Sequence, residues 1–256
     1  MVKDEQGEKE RKEALEQKKQ VLERNPDVES VSYNYLREPN FVPNDPYFVG
    51  GYQWDLQKIG TASAWDRTTG YGAKVAVLDT GVDTSHPDLR GKVAWQWDFF
   101  NRDSVANVDY GYSASGHGTH VSGTIAATAN NGTGIAGVAP QAQILAAKVC
   151  GPSRVGDTKD DVNGWAIRCP DAAVIDALNY FSNYASYSGI KVANLSLGGY
   201  AYSSAYHTAV NRASNSGIVV VAAAGNDNTS ARPTTGSPAK MVTGVDAALS
   251  RLIGDS

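Results

Sequence analysis

No apolar run in this chain is long enough to span a bilayer: the longest, residues 218–224, holds seven residues where a membrane helix takes about 20. A membrane partner is therefore not expected. Basic charge is also short, with 23 Lys and Arg against 27 Asp and Glu and a net charge of −4. No surface is built to track a phosphate backbone, and nucleic acid is not expected as a partner. The opening residues, MVKDEQGEKERKEALEQKKQ, lack the apolar core that an export signal needs; if the parent protein is exported, its signal lies outside this sequence. Only two cysteines occur, Cys150 and Cys169, too few for a thiolate metal site. They bracket a segment rich in Gly, Asp and Ser, so their spacing suits a loop-stapling disulfide, with two unpaired thiols as the alternative. A bridge would point to an oxidising compartment.

At 256 residues the chain accommodates one large domain, or a domain with an appendage, and buries roughly three quarters of its unfolded surface. Residues 1–25 carry seven acidic and seven basic side chains. Ala14, Leu15, Val21 and Leu22 form a thin apolar stripe among them at helical spacing, which predicts a solvated helix with one face to bury. Asn25-Pro26-Asp27 stops it, and Val28, Val31, Tyr33 and Tyr35 then alternate as an edge strand would. The stretch REPNFVPNDPYF, with three prolines, predicts an extended linker and a domain boundary near Asn40. Beyond it, apolar runs alternate with helical segments. Residues 74–78, 144–149, 191–197 and 218–224 predict strands buried on both faces, and residues 121–129, 172–185 and 204–216 predict helices. Such alternation implies an α/β fold, a mostly parallel sheet with helices on both faces. Reactive side chains in that architecture gather at the carboxyl ends of the strands.

Several residues at such ends could carry chemistry. Asp79 follows the run KVAVL directly, where a carboxylate is costly unless something uses it; taken alone it could equally be a turn or helix-capping Asp. His117 stands between Gly116 and Gly118, where backbone can approach closely and leave the imidazole at an open edge. His120 lies one turn further on. The pair is no zinc site, because HGTH lacks both the spacing and the Glu of HExxH. Asn226 ends the run IVVVAAAGN, where its amide could serve an oxyanion or simply a turn. In ANLSLGG the closing residues offer a bare backbone edge on which an extended peptide could be laid.

Taken in order, VLDTGVDTSHPDL (77–89), GHGTHVSGTIAATANNGTGIAGVAP (116–140), ANLSLGG (193–199) and VVVAAAGN (219–226) resemble the subtilisin-like serine proteases, and within them the thermitase-like branch. The resemblance runs over residues 43–240 and implies a three-layer subtilisin-like fold and hydrolysis of peptide bonds by an Asp-His-Ser triad. It assigns the acid's role to Asp79, the general base's to His117 and the oxyanion donor's to Asn226. His120 is then expected to pack inside the helix. Ser196, Leu197 and Gly198 resemble the family's substrate-pairing strand. The resemblance also implies calcium, with Asp45, Asp88 and Asn131 at one ion and Asp98 and Asp103 at a second. Residues 1–40 resemble the second half of a propeptide, a helix plus a strand, leaving residues 41–256 as the catalytic domain. The expected partners are protein or peptide substrates and the chain's own propeptide, and the expected form is a secreted monomer.

The family's nucleophile stands in a Gly-Thr-Ser-Met-Ala motif, and no such string occurs among the 256 residues. Ser237, in TGSPAK, is the nearest substitute, but Pro238 follows it where an alanine-rich helix is needed to bring the hydroxyl within reach of its base. The expectation is a C-terminally incomplete catalytic domain, inert as given. A non-catalytic protein that binds peptides through the same cleft is the alternative. A nucleotide-binding domain is disfavoured, since no glycine-rich phosphate loop follows the first long strand.

Overall fold

Val77, Ile144 and Ala146 point to one face of the central sheet and Ala76, Leu78, Leu145 and Ala147 to the other, and none is more than 4% exposed. Strands covered on both faces require this unbroken apolar run in place of alternation. The computed structural model describes residues 5–33, 41–112, 114–154, 165–198 and 203–223. Their elements run α1 (Glu5–Glu23), α2 (Pro46–Val49), α3 (Trp54–Lys58), α4 (Thr61–Trp65), β1 (Lys74–Asp79), a 3₁₀ turn (Pro87–Leu89), β2 (Val93–Asp98), α5 (His117–Ala126), β3 (Gln143–Lys148), β4 (Gly151–Arg154), β5 (Trp165–Arg168), α6 (Asp171–Ser188), β6 (Ile190–Leu195), α7 (Ser204–Asn215) and β7 (Val219–Ala222). The sheet has the order β2-β3-β1-β6-β7 with every pairing parallel, and β4 and β5 form a separate antiparallel hairpin.

Helices cover both faces, as the alternation of strand and helix implied. On one, Ala76, Leu78, Leu145, Ala193, Leu195 and Val220 pack under α6 and α7 through Val174, Leu178, Phe181, Ala209 and Val210. On the other, Val77, Ile144 and Ala146 meet Ala126 of α5 together with Val82, Leu89 and Ala106. The small residues of α5 let it lie close to the sheet.

Three local differences from the sequence reading have physical causes. Strand β2 is a further element: among the described residues it pairs with β3 alone, and of VAWQWD three residues are half-buried and two exposed, so it lacks the continuous apolar run that marks its neighbours. Helix α5 begins at His117 and closes at Ala126, not at residues 121 and 129. A crossing segment ends it, since the amides of Gly137, Val138 and Ala139 donate to the carbonyls of Ala127, Thr124 and Ile125 at 3.1, 2.9 and 2.8 Å. Finally, residues 28–33 form no strand. Alternation by itself cannot make one, because a strand needs a neighbour for its amides and carbonyls, and the described residues provide none; Tyr35 lies outside them.

The chain divides into two compact units, Met1–Pro39 and Asn40–Ser256. In the first, α1 keeps Leu15, Val21 and Leu22 exposed, and the Tyr33 hydroxyl donates to the Glu16 carboxylate. The Lys19 ammonium lies 5.5 Å from the centre of the Tyr33 ring.

Candidate active site

Asp79 is the last residue of β1 and is 2% exposed. A carboxylate so placed has to be hydrogen-bonded. The Thr80 amide donates to its Oδ1 at 2.7 Å, and His117 Nδ1 lies 2.8 Å from Oδ1 and 3.0 Å from Oδ2. An Nδ1–H held by a carboxylate leaves the lone pair on Nε2. With its side chain 45% exposed, the imidazole presents that lone pair at the open carboxyl edge of the sheet. A ring so held is oriented by the carboxylate.

Thr80 builds the corner that joins the two residues. Its hydroxyl donates to the Ser115 carbonyl at 2.7 Å and accepts from the Gly118 amide at 2.9 Å, stitching the end of β1 to the first turn of α5. The approach is so close that a Cβ on Gly118 would lie 2.3 Å from the Gly81 carbonyl oxygen, which explains the glycine after the histidine. Nearby, the Asp83 amide donates to Thr119 Oγ1 at 2.9 Å. The Asp83 carboxyl is held below its ordinary value, first by the Ser85 hydroxyl and further by the Tyr110 hydroxyl. Burial, and then the Asp83 charge, push Tyr110 upward.

Asn194 Nδ2 donates to Ser196 Oγ at 3.0 Å. Ser196, Leu197 and Gly198 run beyond the end of β6, and among the described residues no backbone hydrogen bond pairs them. Cys150 and Cys169 are joined in a disulfide at the base of the β4–β5 hairpin. Asn226 and Ser237 lie outside the described residues.

His120 does not pack inside the helix. The buried face of α5 is Gly118, Ser122, Gly123 and Ala126; a residue two positions after Gly118 is turned about 200° from it. His120 is accordingly exposed and lines a recess of about 330 Å³ with Tyr47, His86 and Asp88.

The expected ion positions differ sharply from each other. Asp45 is fully buried; its Oδ2 accepts from the Asn130 amide at 2.8 Å, while its Oδ1 has no donor among the described residues. Asp88 accepts from Asn131 Nδ2 at 2.8 Å and from the Ile135 amide at 3.0 Å. Gly134 presses so near that a Cβ there would lie 2.0 Å from Asp88 Oδ2. Two buried carboxylates, one with an orphaned oxygen, lie against the amide-rich loop of residues 130–135, a setting that fits a cation with a preference for oxygen. Among the described residues no three His, Cys, Asp or Glu side chains converge as metal ligands, so Asn131 and backbone carbonyls would have to complete such a shell.

Asp98 and Asp103 do not fit an ion. Asp98, 1% exposed, accepts from the Asn101 amide and from Asn101 Nδ2, both at 2.8 Å, and its Oδ2 lies 3.0 Å from Lys148 Nζ. Asp103 accepts from the Val105 amide at 2.8 Å. A lysine ammonium already meets the buried charge, and a second cation there would be repelled. Lys148 also lies 3.0 Å from the Asp109 carboxylate. Burial lowers its proton affinity, but the carboxylates of Asp109 and Asp98 outweigh burial and leave the ammonium above its ordinary value. Neither Thr80 nor Lys148 stood out in the sequence. The available signal for Lys148 was a charge inside the apolar strand ILAAKV.

Comparison with known proteins agrees with this geometry. The subtilase family profile matches residues 70–250. Thermitase of Thermoactinomyces vulgaris is 46% identical over 186 residues, 73% of this chain and 58% of that protein. A thermophilic serine proteinase of Bacillus sp. (strain AK1) is 42% identical over 220 residues, 86% of this chain and 48% of that protein. The chain thus spans about half the length of these relatives. Among solved structures, fervidolysin from Fervidobacterium pennivorans, described as a keratinolytic enzyme related to subtilisin, is 33% identical with a TM-score of 0.55. It covers 82% of this chain, which covers 29% of it. From the profile match, the relatives and the Asp79–His117 pair at the carboxyl edge of a parallel sheet, it follows that the chain belongs to the subtilase family.

Proposed function

We propose that this chain carries the acid and base of a serine endopeptidase. The observation behind the proposal is His117 Nδ1 at 2.8 Å from the buried Asp79 carboxylate, with the other ring nitrogen free to take a proton. In this reading a serine hydroxyl, supplied from beyond the 256 residues, gives its proton to His117 Nε2 as it attacks a peptide carbonyl. His117 then returns the proton to the leaving amine, while Asp79 holds the tautomer and stabilises the imidazolium. Asn226 donates to the oxyanion of the tetrahedral intermediate. The edge at Ser196, Leu197 and Gly198, unpaired among the described residues, takes the substrate backbone as an added strand.

The same reading includes a Ca²⁺ ion held by Asp45, Asp88 and Asn131, which would neutralise two buried carboxylates and clamp the segments bearing them. It makes residues 1–40 a propeptide remnant that limited proteolysis removes from a resistant remainder. It also makes the protein a secreted monomer, in line with a disulfide that persists in oxidising compartments.

One observation favours a second reading. No Gly-Thr-Ser-Met-Ala string occurs in the 256 residues, and peptide binding through the same cleft without cleavage is the second reading. Sequencing the gene past codon 256 decides between them: an in-frame Gly-Thr-Ser motif supports the protease, and a stop codon supports the binding protein. Casein turnover by the 256-residue chain, blocked by a serine-directed phosphonate, would overturn the expectation that it is inert.

A further inference from the structure

We propose that Lys148 is a positioning residue for the Asp79–His117 pair, its ammonium acting at Asp98 and Asp109 as a cation built into the fold. The inference rests on the catalytic reading of that pair, and it follows from register. Lys148 ends β3 and is the Cα partner of Asp79 on one side and of Asp98 on the other. The three residues therefore form one row across the carboxyl edge of the sheet. The main chain locks the row: the Val149 and Cys150 amides donate to the Asp79 carbonyl at 2.8 and 3.2 Å, and the Phe99 and Phe100 amides donate to the Lys148 carbonyl at 2.8 and 3.2 Å.

The side chain extends this hold to the segment between β2 and α5. Its ammonium is 3.0 Å from carboxylates at both ends of residues 98–109. That segment closes on itself through reciprocal amide–carbonyl bonds between Asp98 and Asp103 at 2.9 and 3.1 Å, and its Ala106 carbonyl accepts from the Val82 amide at 2.9 Å. Gly81, at φ +93°, abuts it so tightly that a Cβ would lie 2.6 Å from the Ala106 oxygen and 2.7 Å from that of Asn107. Gly81 in turn is the residue against which Gly118 packs. An unbroken path of contacts therefore leads from Lys148 through residues 98–109 to the corner that sets Asp79 against His117.

Without the ammonium, the buried Asp98 carboxylate would face the partly exposed Asp109 carboxylate with no cation between them. The segment would move away, and the support beneath Gly81 would go with it. Lys148 stands where the resemblance implied a second calcium ion, and the ordering of this segment is accordingly independent of calcium.

The test uses the intact chain labelled with ¹⁵N-histidine, with the low-field Nδ1–H proton of His117 as readout, identified by its loss in His117→Gln. Lys148→Met is expected to lose this resonance to solvent exchange, and Lys148→Arg to keep it. Asp109→Asn, which leaves the Lys148–Asp98 pair intact, is expected to shift and broaden it without changing the far-ultraviolet circular dichroism, and it decides the matter if Lys148→Met does not fold. A folded Lys148→Met or Asp109→Asn with the resonance unchanged overturns the proposal, whatever its melting temperature. Calorimetric titration with Ca²⁺ is expected to give the same stoichiometry for wild type and Asp98→Asn; loss of an ion in the variant would overturn the substitution of ammonium for metal. The resonance reports geometry and not turnover, so a failure of the protease reading leaves a distinct result.

Discussion

Gly118 carries more of the site than its lack of a side chain suggests. The Asp79–His117 pair depends on the end of β1 and the first turn of α5 meeting at less than side-chain distance, which Thr80 secures by accepting the Gly118 amide. Adding one methyl group at residue 118 would place carbon 2.3 Å from the Gly81 carbonyl, and backbone on both sides would have to shift. Gly118→Ala is therefore expected to destabilise the chain by about 2 kcal/mol, as overpacking typically does, measured as a lowered urea midpoint. It is also expected to lengthen the Asp79–His117 contact. The two histidines separate at this scale as well. The motif resemblance alone assigned the base to His117, and the structure brings that residue to Asp79. The same resemblance misjudged His120, because exposure depends on which face of α5 meets the sheet, and that face is Gly118, Ser122, Gly123 and Ala126.

The elements most legible in sequence were those buried on both faces. Strands β1 and β3 announced themselves because a two-sided strand must be apolar throughout, whereas β2, at the edge, could mix Trp, Gln and Asp; β7, expected to be buried on both faces, is the other edge of the described sheet and leaves Val219 and Val221 exposed. Helices α6 and α7 show how far burial between elements reaches. Tyr206 of α7 is 8% exposed, and its phenol is pushed well above its ordinary value, first by burial and then by the charge of Asp171 at the start of α6. A group whose proton is held more tightly in the fold contributes stability in full below its unfolded value, near 10, and loses it as pH rises toward the folded value. Urea midpoints of the wild type are thus expected to fall above about pH 10, with a shallower decline in Tyr206→Phe. Equal slopes for the two proteins would remove Tyr206 from the account.

At the scale of the whole molecule, electrostatics separates two places that looked alike in sequence. Asp45 is buried with one carboxylate oxygen lacking a donor among the described residues, while Asp98 is buried with an ammonium against it. Chelation is therefore expected to lower the melting temperature through the first place alone. Asp45→Asn should lose most of the response to EDTA, whereas Asp98→Asn should keep it, with calorimetric melting curves in EDTA and in Ca²⁺ as the measurement. A melting temperature that EDTA leaves unchanged in the wild type would sink the calcium reading at Asp45.

The sequence by itself determined the alternation of strand and helix, the family, and the order of Asp79 and His117 along the chain, because burial and short motifs are written in neighbouring residues. Only the tertiary structure decided which charges meet. Lys148 is far in the chain from Asp79 and Asp98, and parallel register brings the three into one row. That row gives one expected cation position a lysine, while Asp45, at the other, keeps an oxygen without a donor among the described residues. A one-residue change in register would have turned Lys148 to the opposite face of the sheet.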